Sequence, residues 1–263
     1  MSAESGVDTS RRFGGLERLY GVVGAGRIRA AHVAVVGIGG VGSWAAEALA
    51  RSGVGQLALI DLDHVSESNI NRQIHALDST LGQAKVLAMR ERIAHINPDC
   101  RVTCIEAFVE PDNWPQLLPD GVDAVIDACD QVKAKTAMAA WALRNRKLFI
   151  SVGAAGGKRH AHRVDIDDLS HTTHDPLLAQ MRYRLRKAHG APREGKKIGV
   201  ACVFSREAVA APDASCMVVG AGLNESVGDG SLNCHGYGST VSVTATFGQC
   251  AAGWLMDQIS RTP

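Results

Sequence analysis

Aromatic side chains make up only 5% of the 263 residues. So few rings exclude an extended wall for stacking nucleic-acid bases. A dominant charge is also missing: 28 Lys and Arg face 27 Asp and Glu, a net charge of +1. That excludes a globally basic nucleic-acid coat protein but leaves room for a local basic patch. The 7 cysteines include no CxxC pair, so the usual zinc knuckle is absent and no zinc is expected. Their odd number and scattered spacing fit a reducing, cytoplasmic setting rather than a secreted disulfide framework. The opening MSAESGVDTSRR lacks the apolar core of a signal peptide. One apolar stretch, Val241 to Ile259, carries Thr244, Thr246, Gln249, Asp257 and Gln258. It suits a buried or partner-facing helix better than a membrane span, so no membrane partner is expected.

What remains is an ordinary globular composition, 46% hydrophobic and 21% charged. The length suits one large α/β unit: a core over residues 1–153 and an extension over 154–263 within the same structural domain. The segment from Arg12 to Ala31 has helical spacing but is interrupted by Gly21, Gly24 and Gly26, which predicts two short helices. From His32 onward, short apolar runs alternate with helical ones. HVAVVG, QLALID, RVTCIEA, DAVIDA and LFISVG read as strands; 41–51, 84–96 and 132–146 read as helices. This alternation predicts a Rossmann-like, doubly wound, mostly parallel sheet with a C-terminal extension. Its ligands are expected along the carboxyl edge of the strands. Farther on, 153–170 reads as a loop and a strand, 175–189 as a helix turning basic, and IGVACVFS as another strand; a final helix follows.

The first chemical signal is Gly37-Ile38-Gly39-Gly40-Val41-Gly42, between a strand and a helix. Glycine lets the backbone approach phosphates, and a helix N-terminus aims N–H groups at them. Asp61, at the end of the second strand, stands where a ribose hydroxyl commonly binds. These features alone would fit a redox dinucleotide. The next segment, Asp61 to Gln73 followed by Gly82-Gln83-Ala84-Lys85, adds Asn69, Arg72 and Lys85. Such a cluster suits a triphosphate, whose charge builds up as pyrophosphate departs. Asp127-Ala128-Cys129-Asp130 ends the fourth strand, where carboxylates can hold Mg²⁺ beside phosphate oxygens.

GxGGVG, DxDxVxxSNxNRQ, GxxK and DxxD in this order resemble the ubiquitin-activating-enzyme superfamily, which includes the bacterial adenylyltransferases for molybdopterin synthase and thiamine sulfur carriers. The resemblance implies MgATP-driven adenylation of a carboxylate. It implies that Gly37, Gly39, Gly40 and Gly42 hold phosphates and that Asp61 holds the ribose. Asn69, Arg72 and Lys85 would contact the triphosphate, and Asp130 would sit at the magnesium. It also implies an arginine delivered across a homodimer, with Arg12 the better candidate and Arg11 the lesser. An apolar, partner-facing C-terminal helix would fit the same dimer.

RRFGGLERLYG, RYRLRKAHGA and SLNCHGYGSTVSVTATFG are similar to a narrower subgroup, the tRNA threonylcarbamoyladenosine dehydratases. That likeness implies a tRNA substrate whose threonyl carboxylate is adenylated and then attacked from within its own side chain. Independent of the resemblance, residues 182–197 hold Arg182, Arg184, Arg186, Lys187, Arg193, Lys196 and Lys197 against a single acid, Glu194. A local excess of that size in a neutral chain is a footprint for a phosphate backbone. Lys158, Arg159, His160, His162 and Arg163 could extend it. Cys234, beside His235, is a conceivable nucleophile, but ring closure within the substrate needs none. Three other readings compete: an adenylyltransferase for a ubiquitin-like sulfur carrier, a nucleotide-sensing scaffold serving a cysteine desulfurase system, and a nicotinamide dehydrogenase.

Overall fold

The structure is a computed structural model, and residues 8–193, 195–211 and 237–262 are described. Seven strands form one sheet: β1 (His32–Val36), β2 (Gln56–Ile60), β3 (Arg101–Ile105), β4 (Ala124–Asp127), β5 (Leu148–Val152), β6 (Val164–Asp168) and β7 (Ala201–Ser205). Their order is β3-β2-β1-β4-β5-β7-β6. All neighbours are parallel except β6, which pairs antiparallel with β7. Four strands read as near-continuous apolar runs because both faces of the sheet are covered. On β1 and β4 every residue is buried.

The helices are α1 (Thr9–Ala30), α2 (Gly42–Arg51), α3 (Lys85–Ile96), α4 (Val132–Asn145), α5 (Pro176–Ala188) and α6 (Val241–Arg261). Helices α1, α2, α3 and α6 cover one face through Ile28, Leu49, Met89 and Phe247; α4 and α5 cover the other through Met138, Met181 and Leu185. The break expected in the first helix falls at Gly21, whose φ of 74° is non-helical. Gly24 and Gly26 stay helical; Gly24 lies against Ser260 of α6, where a Cβ would be 3.2 Å from its side chain.

The C-terminal helix corrects one expectation. It is not an exposed apolar face. Val243, Phe247, Ala251, Ala252 and Leu255 are all fully buried, packed on α2 and the sheet. No helix among the described residues is long and apolar enough to cross a membrane. The most exposed large apolar residues among those described lie instead on α1, where Leu19, Val22 and Val23 are 73%, 69% and 67% accessible.

Candidate active site

The strand order reverses between β1 and β4, and the loops after these strands open the crevice where open α/β sheets bind ligands. The glycine loop follows β1. Gly37 has φ 83°, and a Cβ there would lie 2.9 Å from the carbonyl of Ala128. A Cβ on Gly42 would overlap the Gly37 oxygen. These two glycines let the loop close tightly on β4. Gly39 is different: a Cβ built on it meets nothing within 4 Å. Its Cα faces open space, the room a phosphate needs to approach the backbone. At Gly40 a Cβ would lie 3.3 Å from Cγ of Arg72, so the arginine stem passes over the loop.

Helices α2, α3 and α4 all begin at this edge, and none has a side-chain cap. Helices α1 and α5 are capped by Asp8 and Asp175. Three N-termini without side-chain caps present positive dipole ends to one crevice, a setting for an anion.

Asp61 is buried at the end of β2. Its carboxylate accepts Ile38 N–H at 2.6 Å and Asp63 N–H at 2.8 Å, which ties the glycine loop to β2. Burial raises its pKa, and the nearby Lys85 charge pulls back against that shift. Lys85 arrives from 24 residues downstream by backbone pairing. His64 bridges Ala84, and Lys85 N–H donates to the Asp63 carbonyl at 2.9 Å. The ammonium then reaches Asp63 Oδ2 at 2.7 Å, with only 8% of its side chain exposed. Asn69 is buried and shapes the turn: its Oδ1 accepts Ser66 N–H at 3.1 Å. Arg72 leaves that turn. Its Nη1 donates to the Ser68 carbonyl at 2.7 Å, while Trp44 Nε1 donates to the Arg72 carbonyl at 2.9 Å.

At the end of β4 the two aspartates divide. Asp127 is fully buried; it pairs with Lys135 at 2.9 Å and accepts Ser151 Oγ–H at 2.6 Å. Lys135 also donates to the Cys129 carbonyl at 2.9 Å. Burial pulls the Lys135 pKa down, but Asp127 outweighs it and holds the ammonium above its ordinary value. Asp127 is therefore committed inward. Asp130 is exposed beside the N-terminus of α4 and makes no hydrogen bond or ion pair among the described residues. Of the two, Asp130 is the carboxylate open to a hydrated cation. Among the described residues no three His, Cys, Asp or Glu gather as a metal site.

Arg12 lies elsewhere in the chain. Its Nη1 donates to the Ile96 carbonyl at 2.8 Å, at the far end of α3. Along the helix, Lys85 is about 17 Å away. The basic segment is also divided. Arg184 and Lys187 are exposed on α5, as are Lys196 and Lys197 beyond it, and Arg186 Nε donates to the Pro192 carbonyl. Arg182 departs from the expected run. Its Nη1 is spent on the carbonyls of Leu169 and Thr172 and on Thr172 Oγ1, which braces the turn before α5.

Three contributors escaped sequence reasoning. Asp63 stands in DLD, where its partner Lys85 was invisible until the chain folded back. Lys135 sits on the apolar face of α4 between Ala134 and Met138, and a lysine at such a position is the signal that could have found it. Trp44 offers no signal beyond its place in the first turn of α2. Cys129 lies just past β4, and its thiol donates to Asp127 at 3.1 Å. Burial and then Asp127 push that thiol well above the usual range. All 5 described cysteines are shifted upward by burial, so none is poised as a nucleophile. Cys234 lies outside the described residues.

The ThiF family pattern matches residues 13–262. The chain belongs to the ThiF family. Within it, the tRNA threonylcarbamoyladenosine dehydratase of Escherichia coli is 46% identical over 251 residues, 95% of this chain and 93% of that protein. A crystal structure of the E. coli tRNA N6-threonylcarbamoyladenosine dehydratase with ATP superposes with a TM-score of 0.84 at 43% identity, covering 96% of both chains. The molybdopterin-synthase adenylyltransferase of Salmonella typhimurium is 40% identical over 128 residues, which is 49% of this chain and 51% of that one.

Proposed function

We propose that this chain is an ATP-dependent dehydratase that cyclises N6-threonylcarbamoyladenosine in tRNA. The observation that carries the reading is likeness along the whole chain to proteins of that name, against likeness along half of it to a sulfur-carrier adenylyltransferase.

A carboxylate is a poor electrophile: it repels nucleophiles, and oxide is a bad leaving group. Adenylation removes both obstacles. A threonyl carboxylate oxygen bonds to the α-phosphorus of ATP as pyrophosphate leaves. An atom of the same side chain then attacks the acyl carbon, and AMP departs with the carboxylate oxygen, for a net loss of water. Ring closure gains from proximity, up to about 7–11 kcal/mol in well-oriented intramolecular cases.

The residues fit this chemistry. Gly39 leaves the backbone bare for phosphates, Gly37 and Gly42 let the loop close on β4, Gly40 makes room for the Arg72 stem, and Asp61 holds the loop and would take the ribose. Arg72 and Lys85 spread the charge that grows on departing pyrophosphate. Asn69 fixes the turn that carries Arg72. The open carboxylate of Asp130 suits Mg²⁺, which binds through few carboxylates and keeps its waters. The exposed face of Leu19, Val22 and Val23 on α1 suits a homodimer that carries Arg12 to the partner's site. The basic end of α5, with Arg184, Arg186, Lys187, Lys196 and Lys197, suits a distant part of the tRNA.

The test is mass analysis of tRNA nucleosides before and after incubation with the protein, ATP and Mg²⁺. Loss of one water from N6-threonylcarbamoyladenosine, matched by AMP and pyrophosphate, is expected. An unchanged nucleoside overturns the reading, and AMP formation driven by a carrier with a Gly-Gly tail would replace it with sulfur-carrier activation.

A further inference from the structure

The fold sends two basic stretches to opposite edges of the sheet. Helix α5 starts at the carboxyl edge, where Asp175 accepts Ala154 N–H at 2.9 Å, and runs away from it. By Lys187 it has descended about 17 Å, and the chain then enters β7 from below. Residues 159–163 stay on the ligand edge. They lead into Val164 of β6, which pairs with Ser205 at the carboxyl end of β7. In the strand order, β6 is three places from β4 and four from β1, about 14–19 Å at the usual strand spacing.

This loop is firmly built. Gly157 accepts Ala210 N–H at 2.8 Å and donates to the Gly238 carbonyl at 2.9 Å. Lys158 does not join the exposed basic residues: it is 2% exposed and donates to the carbonyls of His174 and Glu207, at 3.0 and 2.8 Å. The Glu207 carboxylate accepts N–H from Arg159 at 3.1 Å and from His160 at 2.8 Å. Two inward charges thus fix the backbone and leave Arg159, His160, His162 and Arg163 exposed. The two imidazoles lie 5.5 Å apart. His160 is 4.0 Å from Glu207, but neither Arg159 nor Arg163 has a carboxylate partner among the described residues. The neighbouring Arg206 is already taken by Asp165 at 2.7 Å.

We propose that residues 159–163 form a ledge that grips the phosphodiester backbone of the substrate RNA next to its reacting nucleoside. The inference rests on the tRNA reading above. Guanidinium forks match phosphate geometry. A rigid backbone spares the entropy of ordering the loop on binding. The four side chains offer no apolar anchor for a protein segment, so a polyanion is the fitting partner. The ledge lies on the edge where the modified base must enter, whereas the α5 cluster can reach only a remote part of the RNA.

The experiment measures binding of two RNAs bearing N6-threonylcarbamoyladenosine, full tRNA and its isolated anticodon stem-loop, across a salt series. Wild type is compared with Arg159→Gln/Arg163→Gln and with Arg184→Gln/Lys187→Gln. The ledge variant is expected to weaken both RNAs about 10-fold and to lower the salt slope by about 1.4–1.8 for two lost phosphate contacts, with ATP affinity unchanged. The α5 variant is expected to weaken only the full tRNA. A ledge variant that binds the stem-loop as wild type does, with the same slope, overturns the ledge while leaving the tRNA reading intact. Failure of wild type to bind either RNA overturns both.

Discussion

His75 offers a titration whose size follows from its surroundings. The residue is 2% exposed, and neither ring nitrogen has a hydrogen-bond partner among the described residues. Its own carbonyl accepts Thr80 Oγ1–H at 2.7 Å, which fixes the turn three residues beyond Arg72. Burial lowers its pKa from 6.5 to about 4, helped by the charges of Lys85 and Arg92. The unfolded chain therefore takes up this proton first as pH falls. The stability at stake is complete above about 6.5 and drains away toward 4. A gap of about 2.5 pH units at 1.36 kcal/mol each is about 3 kcal/mol in full, of which about 2 kcal/mol is gone by pH 5. The assay is urea unfolding of wild type and His75→Leu at pH 7.5 and pH 5. Leucine keeps most of the volume and removes both the titration and the unpaired nitrogens. The variant is expected to match or exceed wild type at pH 7.5 and to gain about 2 kcal/mol on it at pH 5. Groups common to both proteins, such as His32, whose pKa burial also lowers, cancel in the difference. Parallel stability curves would refute the argument.

Lys135→Met leaves Asp127 buried without its cation and is expected to cost about 3–5 kcal/mol in urea unfolding; adding Asp127→Leu should restore most of it, and failure to do so would show that the pair is not the cause. Lys85→Met is expected to cut ATP-dependent turnover about 10²–10³-fold while lowering stability by under about 1 kcal/mol, because its partner Asp63 is half exposed. A thermal melt beside the turnover assay checks both. Arg12→Ala and Lys85→Met, each inactive alone, should recover about a quarter of wild-type activity when mixed, since half of randomly paired symmetric dimers then hold one intact site; no recovery would remove Arg12 from the partner's site. Asp130→Asn should raise the magnesium concentration needed for half-maximal turnover several-fold, and an unchanged magnesium curve would free Asp130 of that role.

The chain discloses its strands readily because a sheet covered on both faces demands unbroken apolar runs, and HVAVVG and QLALID have no other use. The phosphate loop is equally legible, since Gly37 and Gly42 stand where a Cβ would strike Ala128 or the Gly37 oxygen. Charged residues are read less well, because a charge in sequence looks alike whether it is solvated or spent. Lys158 and Arg182 read in the sequence like their exposed basic neighbours, yet each donates to backbone carbonyls inside the fold. Lys135 drew no notice, though it is fully buried. Location is the other hidden quantity. Charge density along 182–197 suggests a polyanion but cannot say which sheet edge receives it. That depends on α5 running antiparallel to β5 while β6 turns back beside β7, a pairing set by non-local contacts. The same topology puts Arg12 at the foot of α3, about 17 Å from Lys85 within one protomer. An arginine so placed serves either another molecule or the fold, and in the proposed homodimer the exposed Leu19, Val22 and Val23 of α1 would be the surface that a second copy covers.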